Sequence, residues 1–587
     1  MTVDQKLASL RACMKEDGID AWVIYGSDPH QSEYVCPRYR DRAWLSGFTG
    51  SAGTIVVGAE EAILWVDSRY FIQAEEQLKN TSFTLMKLDT EGVVDYKAYL
   101  KANRHRYARI GTSAASLMVG TARLLKAEGI DLVPTRDYID QIWADRPAVP
   151  EKAVAALDKR ICGLDAEEKI ALIRKTLSEK GCSATFISSL DDIAWILNLR
   201  GTDIEYNPVF LSYLCITEDQ AVLFTSEKRF SNVKCPVMRL DYDKASEFIK
   251  SVFLLGDRVY INPDRTNSLI WGSFAEGVEL VEGREISTDL KAAKNPVELE
   301  GMRRAHLLDG AALVNFLSRL DRSAKAEYDE ISISEALEAQ RRRSPEYLGP
   351  SFGPISGFAE HGAMCHYSAT PESSMIVDKP SLLVLDTGGQ YETGMTDVTR
   401  TLLFGKATAE QRRDYTLVLK GHLALARQVY PQGTTGQQLD ALARQFLWME
   451  GKTFLHGTGH GVGFRLNVHE GPQAISFRAS ASPAPLREGM VTSNEPGLYL
   501  EGRYGIRIEN LVATVKKMET EFGVFLGFEN LTMCPYERDL IDASMLTELE
   551  MDQIDDYHAN VYDKLKGLVD KSSLEYLARA TAKLARS

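Results

Sequence analysis

Apolar residues recur at a spacing near 3.6 in two well-separated stretches, KLASLRACMKEDG near the N-terminus and EKIALIRKTLSEKG from residue 168. Each predicts an amphipathic helix. The same succession follows both. First comes an apolar strand (in DAWVIYGSD and SATFISSL), then a short helix carrying a tryptophan (WLSGFTG; DIAWILNLRG). A strand pair ending in an aromatic comes next (TIVVGAEEAILWVDSRYF; FLSYLCITEDQAVLFTSEKRF), and last a further helix and strand (YKAYLKANRHRYARIGT; ASEFIKSVFLLGDRVYIN). Identity between the copies is weak but their order agrees, which predicts two α/β domains of one fold. The Pro-bearing stretch ADRPAVPEKAV separates them. A second boundary falls in LKAAKNPVELE, where Asn295-Pro296 predicts the start of a long helix. The expected domains are 1–147, 148–293 and 294–587.

The third region mixes long helices (QRRDYTLVLKGHLALARQVY; GQQLDALARQFLWMEG) with hairpins, an α+β pattern. SLLVLDTGG followed by TDVTRTLLF predicts strand, Gly-rich turn, strand; SNEPGLYL, EGRY and GIRIENLVATV predict a second hairpin. From about Asp539 onward the pattern is that of amphipathic helices.

At 587 residues the chain exceeds one core, and 44% hydrophobic with 26% charged residues is ordinary for a soluble protein. A net charge of −14 argues against nucleic acid or an anionic membrane surface as partner. The N-terminus lacks an apolar signal region, and no run reaches the roughly 18 apolar residues of a spanning helix. Eight cysteines are scattered without a CxxC pair, which suggests free thiols and a cytoplasmic location.

Five residues offer chemistry: Asp386 in LVLDTGGQY, Asp397 in MTDVTRT, His460 in HGTGHGVG, Glu495 in SNEPG and Glu509 in GIRIEN. Four carboxylates and one imidazole suit a pair of divalent cations. Their oxygen-rich chemistry favours Mn²⁺, with Zn²⁺, Co²⁺ or Fe²⁺ as alternatives. Strand alternation puts Asp386 with Val384, and Asp397 with Thr399 and Thr401. Arg507 shares the face of Glu509 and can hold a ligand carboxylate in place. Singly, each acid reads as a turn or surface residue. As a set within apolar strands they need a cation. Six of ten histidines lie between residues 361 and 469. His366, His456 and His469 can donate to an oxyanion or relay a proton; His361 and His422 are expected to be structural.

The motifs LDTGGQY, TDVTRT, HGTGHGVG, NVHEGP, EPG and GIRIEN resemble the pita-bread metallopeptidases, specifically the long, three-domain cytosolic aminopeptidase P type. GSDPHQSEY, WLSGFTGSAGT and WVDSRYF carry the likeness into the first domain. The resemblance implies two creatinase-like N-terminal domains, a pita-bread catalytic domain, and a homodimer acting on peptides with N-terminal Xaa-Pro. It implies that Asp386 binds one metal, that His460 and Glu495 bind the other, and that Asp397 and Glu509 bridge. It further implies that His366, His456 and His469 bind substrate and handle protons, and that Arg507 braces the ligands. Catalytic roles thus fall to His366, His456, His469, Glu495 and Arg507. The expected reaction is attack on the Xaa-Pro carbonyl by hydroxide held between the metals, with Glu495 taking the proton. Tyr367 is expected in the proline pocket and Arg69 beside the peptide. Met395, the stretch SGFAEHGAMCHYSA and Ser493-Asn494 depart from the usual family pattern. The alternatives are a prolidase-like dipeptidase and, in another class, a non-catalytic pita-bread binding protein or a metal-free creatinase-like hydrolase, whose ligand sets would be broken. A methionine aminopeptidase would not need the duplicated half.

Overall fold

The computed structural model describes residues 1–586 except 68–69, 325–327 and 479–483. Arg69 therefore lies outside the described residues. The chain forms two compact units, Met1–Leu157 with Leu164–Ser287, and Asp158–Gly163 with Thr288–Ser587.

The first unit contains the duplication. Both copies open with a helix started by a capping box: Val3–Glu16 behind Thr2 and Gln5, Ala166–Glu179 behind Asp165 and Glu168. Each box satisfies orphan N–H groups of the first turn reciprocally. The copies then build sheets of one topology. The first runs Phe83–Lys87, Ala62–Val66, Thr54–Gly58, Ala21–Ile24, Ile110–Ser113, Leu132–Thr135. The second runs Met238–Leu240, Ala221–Phe224, Tyr213–Thr217, Ala184–Ile187, Arg258–Ile261, Glu279–Glu282. Strand directions agree at every step, antiparallel in the central three and parallel toward both edges. The parallel edge strands are absent from the sequence reading because they are short and half exposed. The motif GSDPHQSEY serves the contact between copies. The buried His30 ring reaches Ser188 O (2.9 Å, Nδ1) and Tyr242 Oη (2.7 Å, Nε2), and Asn267 Nδ2 donates to Pro29 O at 3.0 Å.

The second unit begins with Pro296–Leu317, the helix expected at Asn295-Pro296. Asn295 caps it, its Oδ1 accepting from the N–H of Val297 (2.9 Å) and Glu298 (3.0 Å), while its Nδ2 donates to Cys162 O at 2.8 Å. Proline at the first helical position loses nothing, because that N–H has no intrahelical acceptor. Three strands, Ile355–Phe358, Ser381–Thr387 and Val398–Phe404, pair antiparallel, with Asp386 opposite Thr399. The glycine-rich connection between the last two is more than a turn. Gly389–Tyr391 and Gly394–Met395 form a small hairpin in a separate sheet with Tyr347–Pro350, and it buries Met395. A six-stranded sheet supplies the rest, in the order Val429–Pro431, Gly523–Asn530, Asn510–Thr520, Val491–Asn494, Gly459–Gly461, Glu470–Ile475.

The C-terminal helices Glu548–Leu565 and Leu574–Ala580 spend their apolar faces within this unit. Ile554, Tyr557, Val561, Leu565 and Leu577 join one core with Leu382, Tyr415, Leu419, Ile506 and Ile508.

Candidate metal centre

The site forms where two hairpins meet. Asn494 faces Asn510 and Gly497 faces Arg507, so both ladders share one register and Glu495 falls directly opposite Glu509 in the gap between them. In that gap the Glu495 N–H donates to Thr458 O (2.8 Å) and the Glu509 N–H to Thr399 O (3.1 Å). The released backbone groups thus join the carboxylate-bearing hairpin to the HGTGH loop and to the strand after Asp397.

His460 Nε2 lies 3.5 Å from Asp397 Oδ2 and 3.6 Å from Glu495 Oε1. Asp397, His460 and Glu509 each offer a donor atom within 4.8 Å of the others. Asp386 stands close enough to Asp397 and Glu495 to feel their charge. All five expected ligands are thereby brought together. His460 Nδ1 is 2.9 Å from Gly461 O; donating there, it leaves Nε2 free to face the carboxylates.

The electrostatics are those of crowded acids. Burial pushes Asp386 up to about 6; Asp397 and Glu495 add to the rise and Arg507 opposes it. Burial pushes Glu509 well above the usual range, with Asp397, Glu495 and Asp386 reinforcing the shift. Burial alone would lower His460, but Asp397 and Glu495 bring it up to about 9. Asp386 Oδ1 and Glu509 Oε1 are buried and have no hydrogen-bond partner among the described residues. An unpaired buried carboxylate oxygen is costly, and hard divalent cations take such oxygens. The donor set therefore fits two cations.

The other oxygens are held from behind. Arg507 donates to Asp386 Oδ2 (2.7 Å), to Tyr499 Oη (2.6 Å) and to Thr399 Oγ1 (3.2 Å), and Thr399 Oγ1 donates to Glu509 Oε2 (2.8 Å). Ser493 Oγ accepts the His460 N–H at 2.9 Å and donates to Glu495 Oε1 at 3.1 Å, which gives the unusual serine before the EPG motif a use. Its neighbour Asn494 exchanges backbone and side-chain hydrogen bonds with His422, which is buried against Tyr536 and pushed down to about 3 by burial. His422 is thus structural, as expected.

His456 joins the site through Tyr499, 2.9 Å from its Nε2, and burial lowers its affinity for a proton. His469 stacks edge-on against His460, with ring centroids 4.3 Å apart. His366 sits on an exposed turn; Cys365 beside it contributes to the high pKa of Tyr499, after burial. Tyr367 is buried, its ring 4.4 Å from that of His361 and its hydroxyl on Glu330, so it braces this turn. Sequence reasoning missed Tyr499, Thr399 and Ser493 as partners of the site. The polar face shared by Asp397 and Thr399 was the one available signal, and it did not reveal what the threonine holds.

Known proteins resemble the chain over its whole length. Residues 300–516 match metallopeptidase family M24 and 524–584 its C-terminal region, while 6–142 and 145–298 each match a creatinase/prolidase N-terminal domain. A probable Xaa-Pro aminopeptidase P of Coprinopsis cinerea is 39% identical over 99% of this chain and 98% of its own. Aminopeptidase P2 of Arabidopsis thaliana is 38% identical over 98% of this chain and 88% of its own. The crystal structure of X-prolyl aminopeptidase from Caenorhabditis elegans, described as a cytosolic enzyme with a di-nuclear active site, superimposes with a TM-score of 0.92 at 33% identity, covering 100% of both chains. The chain belongs to metallopeptidase family M24, among its Xaa-Pro aminopeptidases.

Proposed function

We infer that the chain is a metal-dependent aminopeptidase that removes the N-terminal residue from peptides with proline second. One observation carries this reading: five donor residues converge with two buried oxygens unpartnered, in a chain similar over its whole length to Xaa-Pro aminopeptidases. Asp386 would hold one divalent cation, His460 and Glu495 the other, with Asp397 and Glu509 shared. The oxygen-rich donors favour Mn²⁺. Bound there, the cations supply Lewis acidity toward the scissile carbonyl and acidify water to near neutrality.

The chain's own groups do the rest. Arg507 and Thr399 hold one oxygen each of Asp386 and Glu509 and leave the other oxygen toward the site. Glu495 accepts the proton of the attacking water. At 18% side-chain exposure it is more open than Asp386 (12%) or Asp397 (5%), which suits exchange with solvent. His366 donates to the developing oxyanion. His456, held by Tyr499, and His469 carry the proton to the proline nitrogen. Proline lacks an N–H, so selection works by shape, with the ring against imidazole faces.

We further propose the three-domain division 1–147, 148–293 and 294–587, supported by the repeated sheet topology, and a homodimer. The dimer rests on the family likeness, since the C-terminal helices bury their apolar faces in their own unit. A sedimentation mass near the 65.4 kDa of one chain at micromolar concentration would exclude it. Eight free cysteines accord with a reducing compartment such as the cytoplasm. Among the described residues no helix is long and apolar enough to cross a membrane.

Asp397→Ala and Glu509→Ala should abolish turnover and leave one metal ion or none per chain. His460→Ala should also lose metal, whereas His456→Ala and His469→Ala should lose turnover with metal retained. Elemental analysis beside a rate assay decides; full metal in Asp397→Ala would remove its bridging role.

Metal binding should strengthen with pH. Asp386 and Glu509 are raised above their unfolded values, so their stabilising contribution to the metal-free protein is complete in acid and lost as pH climbs through about 6 and beyond. His460 behaves the same way up to about 9. Protons and metal compete for these groups. The rise in Tm on adding Mn²⁺ should therefore be larger at pH 7.5 than at pH 5; an equal rise would refute the competition.

Arg-Pro-Pro should be cleaved, whereas Arg-Ala-Pro and N-acetyl-Arg-Pro-Pro should resist. Comparable hydrolysis of all three would leave only a general metallopeptidase, and cleavage confined to the dipeptide Arg-Pro would favour a prolidase.

A further inference from the structure

Glu330 is a fully buried carboxylate at the first position of the Glu330–Arg341 helix, where the positive end of the helix favours its charge. Asp329 caps that helix through the Ser332 N–H at 2.7 Å, and Ile333 and Leu337 anchor it in the core. The carboxylate therefore stands on a rigid element. Among the described residues its donors are the last residue of the Ile355–Phe358 strand and three residues of the segment that follows and carries His366.

Oε1 accepts the Phe358 N–H (2.7 Å), and Oε2 accepts the Tyr367 hydroxyl (2.8 Å) and the Met375 N–H (2.9 Å). His361 Nδ1 straddles both oxygens at 2.9 and 3.0 Å. The His361 and Tyr367 rings meet at 4.4 Å, so the carboxylate grips one residue on each side of His366. The backbone between them makes two turn hydrogen bonds, Met364 N–H to His361 O and Tyr367 N–H to Met364 O, both 3.0 Å. It begins at Ala359 with φ of +49°, a left-handed conformation unfavourable for a residue with a side chain, which surrounding contacts must enforce. On its other side, close approach of Gly362 to Gly505 leaves no room for a Cβ on Gly505 (1.7 Å from Gly362 O). The turn is therefore seated between the Gly505 backbone and one carboxylate with four donors, bonds of the charge-assisted, stronger kind.

We propose that Glu330 is a positioning residue for His366, fixing through His361 and Tyr367 where that imidazole stands when the oxyanion forms. The proposal rests on the role given to His366 above. A displacement of about 1 Å in such a donor is enough to slow chemistry by one to two orders of magnitude.

The test is a double-mutant cycle on the metal-loaded enzyme with Arg-Pro-Pro. Glu330→Gln keeps the volume and removes the charge. It should lower kcat about tenfold or more with KM nearly unchanged and metal content intact. Combined with His366→Ala it should cost no more than His366→Ala alone, because both remove the same interaction. If His366→Ala slows the enzyme but Glu330→Gln does not, or if the two effects multiply, the positioning role is overturned while the functional reading stands. If His366→Ala turns over normally, the role of His366 itself fails. Should Glu330→Gln not fold, Tyr367→Phe and His361→Phe each remove one donor and leave the carboxylate. They should reduce kcat several-fold and show the same lack of additivity with His366→Ala; wild-type kcat in both would overturn the proposal.

Discussion

Mutual repulsion among Asp386, Asp397, Glu495 and Glu509 is the constraint around which the second unit is built. Burial and like charge drive Asp386 and Glu509 toward their protonated forms, and the folded chain leaves an oxygen of each unanswered. No packing arrangement of hydrocarbon can relieve this; only positive charge can. Arg507 supplies part of it from behind, and His460 supplies more while it is protonated. The rest must come from outside the chain. The fold accepts a local cost in the apo form and recovers it on binding, which is the usual relation between a metal centre and the stability of its scaffold.

Holding such a cluster requires that the acids have no freedom to move apart. They arise from two hairpins, and each hairpin is buried behind a layer of helices: Leu382, Leu403, Ile506 and Ile508 share a core with Tyr415, Leu419, Ile554 and Val561. The threonine and serine hydroxyls between the strands then set the rotation of each carboxylate. Neutral hydroxyls suit this task, because further positive groups would quench the charge that the site exists to present.

Much of this was legible in the chain. The five proposed ligands stand within strands or at their ends, and the repeated order of helix, strand, Trp-bearing helix and strand pair survives weak identity because it follows from periodicity. What stayed hidden depends on contacts between distant residues. Thr399 meets Glu509 across 110 positions and His456 meets Tyr499 across 43. Nothing local to a threonine or a tyrosine announces such a partner. The edge strands of the first unit are too short and too exposed on one side to give a clear alternation. The amphipathic C-terminal helices announced that one face is covered without saying by what, and it is their own core that covers it. Glu330 reads in sequence as an ordinary helix-start acid; that it gathers a loop around itself emerges only once residues 358 and 375 return to it.

The gap in the long hairpin, where Glu495 faces Glu509 and the ladder is interrupted, has a further consequence. Because the backbone N–H groups of both residues are bonded to neighbouring segments instead of to each other, the span between the two carboxylates is set by the relative twist of three separate chain segments. The separation of cations held there would therefore depend on how those segments pack and not on the two carboxylates alone. A substitution far from Glu495 and Glu509 that alters the packing of these segments would shift that separation while leaving every proposed ligand in place.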